Sequence, residues 1–93
     1  MIRSFRHKGL SQLYTMDRTR KIHPDLVERV RGRLDALDGA ETLDDLRLPG
    51  FGLHPLKGKP VRHSIQVNGP WRITFQWDEA AGEAHRVDLE QYH

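Results

Sequence analysis

Apolar residues along this 93-residue chain fall into alternating runs and stripes of helical period. In one run His63, Ile65 and Val67 alternate with Ser64 and Gln66. In the next, Trp71, Ile73, Phe75 and Trp77 alternate with Arg72, Thr74 and Gln76. Successive side chains on a strand point to opposite faces, so each run builds one apolar and one polar face. Asn68-Gly69 lies between the runs and accepts the positive φ values of a type I′ turn, which predicts a β-hairpin. Pro70 has no N–H and belongs to the turn region.

Leu10, Leu13 and Tyr14 share one face of a predicted helix over residues 7–16, although Gly9 lowers its propensity. Pro24 suits the first position of a second helix. Val27, Val30, Leu34 and Leu37, widened by Leu26, form its apolar stripe, and Gly39 is a natural stop. Asp25–Arg29 and Arg31–Asp35 stand four apart on its outer side, where ion pairs are expected. Residues 1–5 read as a short strand, and residues 41–52 as a loop with one helical turn near Leu43. Residues 53–56 begin a strand that residues 58–60 break. Residues 78–84 form a turn, and residues 85–90 alternate again around Val87 and Leu89. This order predicts an α+β fold, a small antiparallel sheet with two N-terminal helices packed on it. The expected core is Val27, Val30, Leu34, Leu37, Ile65, Val67, Ile73, Phe75, Val87 and Leu89.

The length suits one domain spanning residues 1–93. Zero cysteines exclude disulfides, a thiol nucleophile and thiolate metal sites. No apolar run approaches the roughly 18 residues of a membrane span, and no signal-peptide core is present, so a cytoplasmic protein away from membranes is expected. The formal net charge is only +2, but its distribution changes the picture. Between Leu46 and Trp77 there is no acid, while Arg47, Lys57, Lys59, Arg62 and Arg72 fall inside. Such a run suits a polyanion such as nucleic acid. From charge alone, it equally suits a solvated face.

Six histidines invite a metal, but there is no HExxH motif, no i, i+4 pair and no cysteine. No metal site or cofactor is expected. His54 and Lys57 lie in a Gly- and Pro-punctuated segment leading into the hairpin. An imidazole can exchange a proton near neutral pH and an ammonium can neutralise developing phosphate charge. Tyr92 and His93 end the chain after a predicted strand that anchors them, and the terminal carboxylate beside His93 is expected to favour its imidazolium form. Trp71 and Trp77 are in phase with Ile73 and Phe75, which makes them core residues rather than platforms for stacking bases. Arg72 stands on the polar face of a central strand, a rigid position for a ligand-gripping cation.

The segments MIRSF, VERVRGRLDALDGAETLDDLRLPG, LHPLKG, HSIQVNGPWRITF and the terminal YH occur in the order and spacing of a known family. With them the whole chain resembles the HigB group of RelE-like toxins, in the RelE/ParE superfamily. The resemblance implies an endonuclease that cuts messenger RNA on the ribosome and is neutralised by a HigA-like antitoxin. DNA would be met only indirectly, through that antitoxin. It also implies that His54, Lys57, Arg72, Tyr92 and His93 carry catalysis, while Arg47, Lys59 and Arg62 of the acid-free stretch are expected to bind RNA. Metal-free RNA cleavage activates a ribose 2′-OH, stabilises a dianionic phosphorane and protonates the leaving 5′-oxygen. Arg72 and Lys57 suit the phosphorane, with His54 as general base and His93 as general acid or the two exchanged. Tyr92 suits base stacking or a phosphate hydrogen bond. The family commonly ends Asp-Tyr-His, whereas this chain has Gln91, so an acid role there is lost or passes to Glu90. Two other readings stay open. One is a ParE-like toxin that inhibits gyrase; the other is a catalytically weakened member acting by binding.

Overall fold

The computed structural model of the chain describes residues 1–92. Helices α1 (Lys8–Met16) and α2 (Val27–Gly39) precede strands β1 (His54–Leu56), β2 (Arg62–Asn68), β3 (Trp71–Asp78) and β4 (Glu83–Gln91). The strands form one antiparallel sheet in the order β1-β2-β3-β4, so strand neighbours in sequence are neighbours in space. The α+β architecture is the expected one, with both helices contributing to a core on one sheet face.

His7 Nδ1 caps α1 by accepting the Leu10 N–H at 3.2 Å, and Asp17 closes the helix in the left-handed region at φ 53°. Gly9, unfavourable by propensity, is there for packing. A Cβ at that position would stand 2.7 Å from the His7 ring and 2.9 Å from Lys21 Cβ. Before α2, Pro24–Leu26 forms a separate tight turn. Val30, Leu34 and Leu37 are buried from α2, with Val27 packed at the edge of the core. The expected i, i+4 ion pairs on α2 are absent among the described residues. Arg31 instead reaches Asp17 and Glu28, and Asp25 lies by His23. Exposed i, i+4 pairs are worth only tenths of a kcal/mol, so competing carboxylates such as Asp17 displace them easily.

The other α2 arginines grip the sheet. Arg33 donates to Gln66 O at 2.8 Å and lies over the Phe51 ring at 4.6 Å, while Arg29 donates to Val67 O at 3.4 Å. Burial pulls the Arg33 pKa below its ordinary value, with Arg29 adding to the effect. The Gln66 N–H bonds Phe51 O at 2.6 Å. Loop 50–52 therefore continues the edge where the three-residue β1 has ended.

Within the hairpin, the turn differs from the expected one. Asn68 pairs with Trp71, so Gly69-Pro70 are the two turn residues. Gly69 has φ 57°, and the proline ring holds the next φ negative, the sign pattern of a type II′ turn rather than type I′. A register shift between Gln66 and Asn68 absorbs the extra residue. On the core side, Ile65, Val67, Ile73, Phe75, Val87 and Leu89 are buried, as expected. Trp71 and Trp77 pack against this cluster, and the Phe75 and Trp77 rings meet edge-on at 6.4 Å. His63 faces Phe75 at 6.0 Å, where burial lowers its pKa against a weaker opposing effect from Glu79.

Residues 1–5 do not form the continuous strand expected. They touch β4 through two isolated parallel bridges, Ile2–Ala84 and Phe5–Val87. The interruption falls where β4 bulges. Thr74 pairs with Asp88 but Gln76 pairs with His85, leaving Arg86 and Val87 opposite Phe75. Arg86 takes φ 53°, a conformation that costs an L-residue about 1–2 kcal/mol. Ser4 Oγ accepts the Arg86 N–H at 2.8 Å, and Ser4 O accepts the Val87 N–H at 3.0 Å. The extra residue also resets the strand's phase. Ala84 lies in the core before it, and Val87 and Leu89 lie there after it.

Candidate active site

The sheet face away from the core is polar, yet Ser64 and Thr74 at its centre are fully buried, each 0% exposed. They sit opposite one another on β2 and β3, with His54 of β1 opposite Ser64. Two arginines from the same face form hydrogen bonds with these hydroxyls, and each organises a cluster.

In the first cluster, Arg72 Nε donates to Ser64 Oγ at 2.7 Å and Nη2 donates to Gly52 O at 2.8 Å. His54 Nδ1 is 3.0 Å from Gly52 O and 3.2 Å from Arg72 Nη2, and Nε2 is 3.5 Å from Ser64 Oγ. With Nδ1–H donating to Gly52 O, Nε2 keeps its lone pair towards Ser64. With Nδ1 accepting from Arg72, the Nε2–H points at Ser64. In both tautomers Gly52, Arg72 and Ser64 orient an exposed imidazole. Desolvation lowers the Arg72 pKa, but a guanidinium starts so high that it stays cationic. Its Nη1 has no hydrogen bond among the described residues.

In the second cluster, Arg62 Nη1 donates to Glu90 Oε2 at 2.8 Å and Nη2 donates to the Tyr92 hydroxyl at 2.9 Å. The Thr74 hydroxyl donates to the same Glu90 oxygen. Burial works against the Arg62 charge, but Glu90 and Tyr92 outweigh it and hold its pKa above the ordinary value. The strand register pairs Arg72 with Glu90 and Trp71 with Gln91. Glu90, rather than Gln91, therefore supplies the acid on this face. Tyr92 is anchored, because its N–H bonds Pro70 O at 2.7 Å.

The remaining site candidates separate. Lys57 and Lys59 line a cavity of about 320 Å³, which Arg6, Arg62 and Arg86 also line. Lys57 is therefore placed in this cavity, whose lining includes neither His54 nor Arg72. Arg47 pairs with Asp44 at 2.9 Å and is not part of the cavity lining. His93 lies outside the described residues. Nothing in the sequence marks Ser64, Thr74, Arg6 or Arg86 as site residues. The first two look like ordinary polar strand positions, and the two arginines lie far outside the acid-free stretch. Among the described residues, Asp78, Glu83 and His85 bring potential metal-ligand atoms within 4.8 Å of one another. Glu83 already holds Arg3 Nε at 2.7 Å, and Asp78 is solvent-exposed.

A small α+β domain with two helices packed on a four-stranded antiparallel sheet is consistent with the fold of RelE-like toxins. The family model for RelE-like toxins of HigB type II toxin–antitoxin systems matches residues 3–92. The chain is 40% identical to the endoribonuclease HigB of Proteus vulgaris over 94 aligned residues, covering all of both chains. It is 33% identical to the toxin HigB-1 of Vibrio cholerae, covering 99% of this chain and all of that one. The chain belongs to the HigB-like family of type II toxin–antitoxin toxins. No described helix is long and apolar enough to cross a membrane.

Proposed function

We propose that this protein is a metal-independent endoribonuclease, a single domain over residues 1–93, that cuts messenger RNA on the ribosome in the cytoplasm. A HigA-like antitoxin holds it inactive, and contact with DNA is made only through that antitoxin. The observation that carries the reading is the Arg72–His54–Ser64 cluster beside Arg62 and Tyr92 on one sheet face.

In this reaction a 2′-oxygen attacks the adjacent phosphorus, the O2′–P bond forms, and the P–O5′ bond breaks to leave a cyclic phosphate. His54, held by Gly52 and Arg72, accepts the 2′-OH proton, and His93 returns one to the 5′-oxygen, or the two exchange roles. Arg72 offers its free Nη1 edge to the phosphorane, with Arg62 and Lys57 adding positive charge. Tyr92, fixed by Arg62 and Pro70, stacks on a base or donates to a phosphate. Lys59 and Arg47 contribute to RNA attraction. Inducing the chain in bacteria and mapping new messenger 5′ ends tests the reading. Codon-phased cuts that vanish in Arg72→Ala are expected. Intact messenger with stalled replication would identify a gyrase inhibitor instead.

A further inference from the structure

The cation-lined cavity is built by more than the loop after β1. Lys57 and Lys59 come from that loop and Arg62 from β2, but Arg6 comes from the N-terminal segment and Arg86 from the β4 bulge. No acid lines the cavity. Among the described residues Lys57, Lys59 and Arg86 have no ion pair, and Arg6 has only a distant one, 3.9 Å from Asp88. Like charges around one concavity repel, and an anion inside it removes that repulsion.

Arg86 stands in the left-handed region at the β4 bulge. The bulge itself has a structural reason, since it brings Val87 and Leu89 back to the core face. That reason does not require an arginine. At φ 53° glycine is the unstrained residue, and a long cation stands there instead. Bulges beside functional sites commonly re-aim a side chain. Here the re-aimed side chain enters the cavity, and Ser4 secures the bulge through the same N-terminal segment that supplies Arg6. Arg62 belongs to both places, lining the cavity while its guanidinium holds Tyr92 and Glu90. Along β2, the step from Ser64 beside His54 to Arg62 is two residues, about 6.6 Å. The cavity is therefore continuous with the cluster around Arg72.

We propose that this cavity is a second phosphate subsite, which grips a backbone phosphate of the messenger flanking the scissile one, with Arg86 and Arg6 as RNA-positioning residues. The inference rests on the endoribonuclease reading. Contacts to backbone phosphate position a strand without reading its bases, so a phosphate subsite sets affinity and register but not codon choice.

The test uses Arg86→Gly, which removes the charge and relieves the left-handed backbone, together with Arg6→Ala on an exposed segment. Cleavage is measured on messenger-programmed ribosomes over a range of salt, and binding is measured to messenger-free ribosomes. For each variant KM should rise by about tenfold with kcat kept, and the slope of log KM against log salt should fall by about one. Cleavage positions and affinity for messenger-free ribosomes should not change. An unchanged KM and salt slope in both variants would overturn the subsite. Equal loss on messenger-free ribosomes would overturn its assignment to messenger and give the contact to ribosomal RNA. If the wild-type chain makes no codon-phased cuts, the nuclease reading itself fails. If it does, and Arg86→Gly and Arg6→Ala match it, only the subsite falls.

Discussion

The two faces of this sheet bury residues equally completely and by different means. On one, Ile73 and Phe75 lie at 0% exposure beneath α1 and α2; on the other, Ser64 and Thr74 reach the same value within the Arg62 and Arg72 hydrogen-bond clusters. The first face is held by apolar area removed from water. The second survives because each buried hydroxyl has a hydrogen-bond partner, since an unpaired one would cost about 1–3 kcal/mol. Burial alone does not distinguish a core from a site here. The chemistry of what does the covering distinguishes them, and arginines serve chemistry as well as packing.

The contrast breaks most visibly at Phe75. Phe75→Ala should cost about 3–5 kcal/mol in a denaturant titration, because it empties the centre of the apolar face. Loss of activity should follow loss of fold. Arg72→Ala should show the reverse balance. One transition-state contact to phosphate is worth about 2.7–4 kcal/mol, or about 10²–10³ in rate. The same change removes hydrogen bonds to Ser64 and Gly52, so melting should report a loss of about 1 kcal/mol. Arg72→Lys should restore charge but not the fork, giving partial activity. An Arg72→Ala protein that melts lower and cuts normally would turn the polar face into a second structural layer.

Thr74→Val refines the point by keeping shape and deleting one hydroxyl. With Arg62 still paired to Glu90, it should lower stability by about 1 kcal/mol. A Thr74→Val protein more stable than wild type would show that the buried polar face is kept at a cost to the fold. The smallest effect belongs to His63, which lies on the apolar face. Its folded-state pKa is lowered by burial, so the unfolded chain takes up the proton first. The stability His63 contributes is present above its unfolded value of about 6.5 and is lost as pH falls through the folded value. Between pH 7 and 5, wild-type melting should fall more steeply than that of His63→Gln, and parallel curves would remove His63 from the pH response.

Elements whose signals are local were legible without coordinates. The helical stripe of α2 and the alternation of β2 and β3 follow from periods of 3.6 and 2, and those periods name the core residues directly. Arg72 on the polar face of a central strand followed from the same alternation. His54, Lys57 and Tyr92 were legible only as candidates, from their chemistry and place in the chain, and the family resemblance supplied their catalytic role, because a lone loop histidine or a tyrosine near the chain end carries no period. Tertiary structure decided what depends on distant partners. It moved the turn to Gly69-Pro70, since pairing across the strands and not dipeptide preference sets the register. It broke the N-terminal strand at Ser4 and drew Arg31 away from Asp35 to Asp17. It brought Arg6 and Arg86 into one cavity with Lys57 and Arg62. Those two arginines stand 80 positions apart, and no local pattern relates them. Only the pairing of the N-terminal segment with a bulged β4 brings them together.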